Sequence, residues 1–181
     1  MNFEIKHDDS NTRIQTIREL KDLLKTIESL NPKVTFIDKS ILENYSFIAN
    51  QLKNLDVNIF VMEDPEAEKN LETLERAYDF LQRNNVRRTD LIMAIGGGAT
   101  TDFVGFVASS FKRGVKLCLI PTSLLAQVDA CIGGKTAINF GDIKNLVGSF
   151  YNPNEIIIST EFLKSLGDQE YLTGVSEIIK H

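Results

Sequence analysis

The chain has 181 residues, of which 43% are hydrophobic and 25% are charged, a composition typical of globular proteins with a substantial core. Its 20 basic and 25 acidic residues give a formal net charge of −5, which argues against nucleic-acid binding because that function needs a concentrated basic surface. No apolar run approaches the roughly 18 residues of a transmembrane helix, and the acidic N-terminus does not resemble a signal peptide.

Hydrophobic periodicity predicts helices and strands that alternate along the chain. The first long apolar pattern, Ile14 to Leu30, recurs at helical spacing and stops at Asn31-Pro32. Further helices are predicted at residues 41–52, 71–81, 102–111, 161–166 and 170–181, and strands at 34–37, 57–62, 91–95, 115–120 and 155–159. This alternation indicates an α/β fold, a Rossmann-like doubly wound parallel sheet that binds ligands beyond the carboxyl ends of its strands.

The stretch 122–153 has no regular hydrophobic period and is rich in Gly, Asn, Lys and Asp. We expect it to be ordered but irregular and to form part of a site. The sequence stops within a helical pattern, without a terminating residue. We therefore expect an α/β domain over residues 1–166 and the truncated start of a helical domain over 167–181.

The sequence has few of the histidines and cysteines that metal sites, catalytic triads and disulfides require. The two histidines, His7 and His181, lie at opposite ends, so they cannot supply a three-histidine metal site or an internal Ser-His-Asp triad. Cys118 and Cys131 are too few for a disulfide framework, and we expect a reducing cytoplasm.

Three segments are candidates for ligand binding, and each also has a structural explanation. Gly96-Gly-Gly-Ala-Thr-Thr-Asp102 joins a buried strand to a helix, where free backbone N–H groups and the helix dipole suit a diphosphate; the alternative is a tight turn. Pro121-Thr122-Ser123 follows the next strand, and its hydroxyls either face the same crevice or cap a helix. Gly133-Gly134-Lys135 and Lys144-Asn145, with Asp129 nearby, form either a phosphate site or an ordinary glycine turn with surface lysines.

Two other clusters have simple structural explanations. Lys112-Arg113-Gly114 suits the C-terminus of a helix, which favours cations and a glycine cap. Glu177 and His181 are four residues apart on a predicted helix and could share a metal ion, although surface helices commonly contain such pairs.

Taken in order, these segments resemble the 3-dehydroquinate synthase family of sugar phosphate cyclases. The resemblance extends from about Asp64 to Lys180 and depends on several separate motifs. They are Asp64-Pro-Glu-Ala-Glu-Lys69, Gly96-Gly-Gly-Ala-Thr-Thr-Asp102, Gly105-Phe106, Arg113-Gly114, Pro121-Thr-Ser-Leu-Leu-Ala-Gln-Val-Asp129, Gly133-Gly-Lys-Thr-Ala-Ile-Asn139, Lys144-Asn145-Leu-Val-Gly148 and Gly174-Val-Ser-Glu-Ile-Ile-Lys180.

The resemblance implies a cytoplasmic homodimer that uses NAD and a divalent metal, zinc or cobalt, to convert 3-deoxy-D-arabino-heptulosonate 7-phosphate to 3-dehydroquinate. It implies that NAD-binding residues are Asp38, Asp64, Glu66, Lys69, Gly97, Gly98, Asp102, Thr122, Ser123, Lys135, Lys144, Phe162 and Ser165. It implies that the catalytic and substrate-binding residues are Asp129, Lys135, Asn145, Lys180 and Arg113, the last across the dimer interface. Glu177 matches the first of three metal ligands.

The match to the family pattern has departures. Ser123 replaces a threonine, Ile143 replaces a glycine before the Lys-Asn pair, and Gly167 replaces a proline after Leu166. The family's other two metal ligands are histidines that would follow His181, where this sequence stops. Three alternatives stay open: a related sugar phosphate cyclase of secondary metabolism, an iron-type NAD-dependent polyol dehydrogenase and a non-catalytic dinucleotide-binding module.

Overall fold

A mixed β-sheet forms the centre of the fold in the computed structural model, which describes residues 2–7 and 10–180. The strands of the chain are β1 (Asn2–Lys6), β2 (Asn11–Ile17), β3 (Val34–Asp38), β4 (Asn58–Met62), β5 (Leu91–Gly96), β6 (Lys116–Pro121), β7 (Lys135–Phe140), β8 (Ile143–Phe150) and β9 (Glu155–Ser159). Within the described ranges, seven of them form one sheet in the order β1-β2-β9-β6-β5-β3-β4, and β7 and β8 form a separate antiparallel hairpin.

Helices cover both faces of the sheet. They are α1 (Leu20–Leu30), α2 (Lys39–Asn44), α3 (Ser46–Asn54), α4 (Pro65–Glu68), α5 (Leu71–Arg83), α6 (Gly98–Ser110) and α7 (Asp168–Lys180), with a π-helical turn at Ala126–Ala130 and 3-10 turns at Phe111–Arg113 and Thr160–Ser165. Adjacent residues of β5 show the two faces: Ile92 packs in the cluster that contains Phe103 of α6, and Met93 packs in the cluster that contains Ile27 of α1. This alternation follows from the two-residue period of a strand, and it confirms the doubly wound α/β fold.

The strand order determines where a ligand crevice forms. All strand pairs from β2 to β4 across the sheet are parallel, and only β1 pairs antiparallel, with β2. In chain order, β3, β4, β5, β6 and β9 have the arrangement 2-1-3-4-5. The strand order reverses between β3 and β5, and ligands in open α/β sheets bind at that point, beyond the carboxyl ends.

Three details of the predicted elements were wrong. Ile14 and Ile17 belong to β2 rather than to the first helix, which begins at Leu20; the buried Thr12 of β2, bonded to the Pro153 carbonyl, hides the strand period from a hydrophobicity pattern. The helix predicted at 41–52 is divided into α2 and α3 at Tyr45.

The third error is the largest, because the stretch 122–153 is not irregular. It contains the π-helical turn and the hairpin of β7 and β8. Gly141 begins the tight connection of this hairpin, with φ +57. At the edge of the predicted parallel sheet, β1 adds one antiparallel pair.

Candidate active site

The glycine loop between β5 and α6 lies at the point where the strand order reverses. Gly97 precedes the first turn of α6, and its N–H donates to Asp38 Oδ2 at 2.9 Å. Thr100 Oγ1 donates to the other oxygen of the same carboxylate. A Cβ on Gly96 would lie 2.4 Å from Asp38 Oδ1, so glycine is required for this approach. The loop is thereby attached to the end of β3, with the N-terminus of α6 open to an anion.

Burial raises the pKa of Asp38 from its ordinary value of 3.8 to about 6, although the hydrogen bonds from Thr100 and Gly97 partly oppose this rise. Asp38 therefore changes its charge in the weakly acidic range. Both oxygens already accept hydrogen bonds from the loop, so this carboxylate supports the loop directly.

Lys69 connects α6, the helix that follows the glycine loop, with the hairpin. Its side chain is 4% exposed, and Nζ lies 2.6 Å from Asp102 Oδ2 in the first turns of α6 and 2.5 Å from Asn145 Oδ1 in β8. Burial raises the pKa of Asp102, against the opposing effect of the Lys69 ammonium. A buried ion pair of this kind is expensive to break, because the remaining charge would have no partner.

A cavity of about 440 Å³ lies between α6, the π-helical turn and the hairpin. Asp102, Asp129, Lys135 and Asn145 all line it, so the structure brings together four residues that the sequence assigns to cofactor or substrate. The remaining lining residues are small or apolar: Ala130, Gly133, Thr136, Ala137, Gly148, Ser149 and Phe150. A pocket with a few converging polar groups is the usual form of a small-molecule site.

Two glycines let the hairpin pack closely enough to form this cavity. A Cβ on Gly105 of α6 would lie 2.4 Å from Thr136 Cγ2, and one on Gly148 of β8 would lie 2.1 Å from the Thr136 carbonyl oxygen. Thr136 Oγ1 in turn donates to the Ser149 carbonyl at 2.9 Å. The Gly105 and Gly148 motifs therefore explain the wall of the cavity.

Helix α7 lies against the segment that contains Asp129. A Cβ on Gly174 would lie 2.6 Å from the Leu124 side chain and 2.8 Å from the Leu125 nitrogen. Lys180 Nζ pairs with Glu177 Oε1 at 2.9 Å, and the pKa of Lys180 is raised chiefly by Glu177 and to a smaller extent by the nearby Asp129. Lys180 thus lies near Asp129, but no residue of α7 lines the cavity among the described residues.

The segment after β4 contains two further residues that are expected to bind NAD, Asp64 and Glu66. Asp64 caps α4 by accepting from the Ala67 N–H at 3.3 Å. Glu66 pairs with Lys144 of β8, with Nζ and Oε1 2.6 Å apart. Both side chains are more than half exposed. The ion pair joins β8 of the hairpin to α4, which follows β4.

Four other expected cofactor residues, near the ends of β6 and β9, differ in their surroundings. Thr122 is buried after β6, and Ser123 Oγ accepts from the Ala126 N–H at 3.3 Å, which is the capping role considered from the sequence. Phe162 is fully buried and packs on Tyr45 with ring centroids 5.2 Å apart. Ser165 accepts a hydrogen bond from the Tyr45 hydroxyl at 3.1 Å. Phe162 therefore acts as a core residue at the carboxyl edge of the sheet.

Arg113 is not brought into this cavity. It lies exposed after the C-terminal end of α6, and Asp102 lies near the N-terminal end of that helix. The helix ends earlier than expected, at Ser110, and Lys112 and Arg113 have left-handed φ values of +50 and +64. The two residues form a turn rather than the last turn of a helix.

The described residues do not complete a metal site. No group of three His, Cys, Asp or Glu side chains within ranges 2–7 and 10–180 could hold an ion. The expected pairing of Glu177 with His181 involves a position outside those ranges. Over the same part of the chain, no helix is long and apolar enough to cross a membrane.

Sequence reasoning missed two polar residues that support the site. Thr100 donates to Asp38, and Asn139 of β7 accepts a hydrogen bond from the Asn145 N–H at 3.0 Å. Both lie within motifs that were recognised, but a linear sequence does not show which of the polar side chains in a motif face one another.

Comparisons with known proteins agree with this geometry. The family model described as "3-dehydroquinate synthase N-terminal" matches residues 59–173. The 3-dehydroquinate synthase of Clostridium tetani is 44% identical over 156 residues, which are 86% of this chain and 42% of that protein. The chain thus spans less than half the length of this relative.

Solved structures give the same fold. The 2-epi-5-epi-valiolone synthase of Streptomyces hygroscopicus subsp. jinggangensis, solved with NAD+ and Zn2+ bound, has a TM-score of 0.84 and 29% identity over 98% of this chain and 49% of that chain. An iron-containing alcohol dehydrogenase of Corynebacterium glutamicum has a TM-score of 0.70 and 18% identity over 94% of this chain and 46% of that one, which is a likeness of fold alone. Since the family model covers more than half of the sequence and includes the glycine loop and the cavity, the chain belongs to the 3-dehydroquinate synthase family.

Proposed function

We propose that this chain supplies the NAD-binding part, and much of the substrate-binding part, of a 3-dehydroquinate synthase. The proposed reaction converts 3-deoxy-D-arabino-heptulosonate 7-phosphate to 3-dehydroquinate with release of phosphate. One observation supports it above the others: Asp102 belongs both to the helix that begins at the glycine loop and to the cavity lined by Lys135 and Asn145. Cofactor and substrate would therefore meet at this carboxylate.

The residues present fit NAD. The open N-terminus of α6 would receive the diphosphate, because its first N–H groups have no partner within the helix. Gly97 and Gly98 leave room for the backbone to approach it, with only Ser123 Oγ at 3.7 Å and Ala130 Cβ at 3.8 Å from the positions that their Cβ atoms would take. Bound NAD would supply hydride transfer, which no side chain provides.

In the cavity, the substrate would be held by charge and hydrogen bonds. The Lys135 ammonium would pair with the phosphate or carboxylate, and the Asn145 amide would hydrogen-bond a hydroxyl. Asp129 and Lys180 would complete the polar wall on the side of α7. Glu177 would supply one metal ligand, and the described residues do not complete the set. We further propose a cytoplasmic homodimer and, as domain limits, residues 1–166 and 167–181.

A related sugar phosphate cyclase is the second candidate. The structural likeness to 2-epi-5-epi-valiolone synthase favours it, since that enzyme has the same fold at 29% identity. The substrate separates the two: phosphate release from 3-deoxy-D-arabino-heptulosonate 7-phosphate by the complete gene product supports the first, and release only from another sugar phosphate supports the second. A polyol dehydrogenase would instead accumulate NADH, and a non-catalytic module would release no phosphate.

Calorimetric titration with NAD tests the cofactor site. We expect Asp102→Ala to weaken NAD binding by at least about tenfold, the effect of losing one charge-assisted hydrogen bond. Asp102→Asn keeps an acceptor for Lys69. Comparison of the two variants therefore separates the loss of a contact with NAD from the loss of the Lys69–Asp102 ion pair. Lys135→Ala should abolish turnover in the complete gene product and leave NAD affinity within about twofold, which would assign Lys135 to the substrate rather than to NAD. Unchanged affinity in both Asp102 variants would contradict the assignment.

A further inference from the structure

Asn139 connects three parts of the proposed site, although it has no assigned role there. It lies in β7 at the point where the hairpin register shifts, between Ile138 and Phe140. Its main-chain N–H donates to the Lys69 carbonyl at 2.7 Å, and its side-chain Nδ2 donates to the Glu66 carbonyl at 3.4 Å. Its Oδ1 accepts from the Asn145 N–H at 3.0 Å.

The last of these bonds holds an unusual backbone conformation. Asn145 has φ +56, in the left-handed region, where residues other than glycine are strained, although asparagine tolerates it best. In a regular antiparallel ladder a strand N–H would be paired with the partner backbone. At Asn145 the side chain of Asn139 takes that place, across the irregular end of the hairpin.

The conformation of Asn145 has a consequence for the buried lysine. It places Asn145 Oδ1 2.5 Å from Lys69 Nζ, whose other bond goes to Asp102. Asn139, Asn145 and Lys69 thus form a closed ring, since the Lys69 carbonyl accepts from the Asn139 N–H. Within this ring, Asn145 lines the cavity, and Lys69 pairs with the Asp102 carboxylate of α6, the helix that follows the glycine loop.

We propose that Asn139 is a positioning residue that fixes Asn145 in its left-handed conformation, and so holds the substrate wall of the cavity against Lys69. It acts through Asn145 and lies outside the lining of the cavity. The requirement at position 139 is an acceptor of the length of asparagine, which aspartate also provides and leucine or alanine does not. The structural claim rests on the hydrogen bonds alone; its effect on substrate binding rests on the proposed function.

Amide hydrogen exchange at Asn145, followed by NMR in the full chain, tests the structural claim. We expect Asn139→Leu to accelerate exchange of the Asn145 amide by about tenfold, the effect of losing one net hydrogen bond. Asn139→Asp, which keeps the acceptor, should remain within about threefold of the unchanged chain. Asn139→Ala repeats the truncation with a smaller side chain, in case leucine prevents folding. Asp142→Asn, exposed between β7 and β8 in the same hairpin, is the control and should have no effect.

Equal exchange rates in Asn139→Ala, Asn139→Asp and the unchanged chain would overturn the proposal, as would equal acceleration by the aspartate and alanine variants. In the complete gene product, Asn139→Ala should raise the KM for the sugar phosphate by about tenfold and leave NAD affinity within about twofold, with recovery of KM in Asn139→Asp. If the unchanged protein neither binds NAD nor turns over, the proposed function fails, while the exchange rates still decide the role of Asn139.

Discussion

Asp38 is a residue whose ionisation opposes folding. Its carboxyl is buried at the end of β3, and its pKa rises from 3.8 to about 6 because burial outweighs the hydrogen bonds from Thr100 and Gly97. Between these two pKa values the folded state binds the proton and the unfolded state has released it. The free energy of unfolding therefore decreases as pH rises through this range, and the contribution is constant above it.

Replacing Asp38 by asparagine removes this titration. The amide keeps an acceptor for the Gly97 N–H, and its Nδ2 can donate to the Thr100 hydroxyl. We expect the stability of the original chain, relative to Asp38→Asn, to fall by about 2.4 kcal/mol between pH 4 and pH 7, somewhat less than the full shift of roughly two pKa units because the unfolded carboxyl is already largely ionised at pH 4. Urea unfolding at four pH values measures this difference, and Asp142→Asn controls for the loss of one negative charge. Parallel stability profiles for the original chain and Asp38→Asn would contradict it.

At the level of elements, the contact between α6 and β7 determines the shape of the cavity. A Cβ on Gly105 would lie 2.4 Å from Thr136 Cγ2 and 3.2 Å from Thr136 Cβ. We expect Gly105→Ala to lower the free energy of unfolding by about 1–3 kcal/mol, the range for overpacking of a close contact. Denaturant unfolding measures this effect.

Two further variants make the overpacking explanation specific. Gly133→Ala is the matched control, since its Cβ would meet no atom within 4 Å and its φ needs no glycine; it should be close to neutral. Thr136→Ser removes the Cγ2 methyl and keeps the hydroxyl, so the double variant Gly105→Ala, Thr136→Ser should be less destabilised than the sum of the two single variants. Additive effects would exclude the clash as the cause.

The same elements show how far the sequence could predict the structure. The strands β3, β5, β6 and β9 were located by short apolar runs, because both faces of such strands are buried and no polar alternation interrupts the pattern. The hairpin was missed because β8 is exposed along most of its length and therefore has no hydrophobic period. A local signal did exist: Gly141-Asp142 joins β7 to β8, and a two-residue turn of this type is typical of hairpins.

The site was predictable to the extent that it depends on local motifs. The glycine loop follows β5 directly, so its position at the carboxyl edge was fixed by the alternation of strands and helices. The Lys69 bonds to Asp102 and Asn145 were not predictable, because they join residues 33 and 76 positions apart. Only the packing of the hairpin onto α6 brings those side chains together.

For the whole molecule, the role expected of Arg113 from the family resemblance depends on the proposed second subunit. Arg113 is exposed after the C-terminal end of α6 and does not line the cavity, although Ser109 near that end bonds Ser149 of the cavity wall. Since a helix rises about 1.5 Å per residue, the length of α6 separates Arg113 from Asp102 of its own chain. In a two-fold symmetric dimer, each subunit can lend the same residue to its partner.

Complementation between two inactive variants tests this arrangement in the complete gene product. We expect Arg113→Ala and Lys135→Ala each to abolish turnover. If Arg113 acts across the interface, a mixed dimer contains one site with both defects and one with neither. Random exchange of subunits should therefore restore about a quarter of the original activity, since roughly half of the dimers are mixed and each has one intact site. If Arg113 served its own subunit, every site in the mixture would lack one residue, and mixing would restore nothing. The neighbouring Lys112→Ala, exposed in the same turn, is the matched control and should retain activity without mixing.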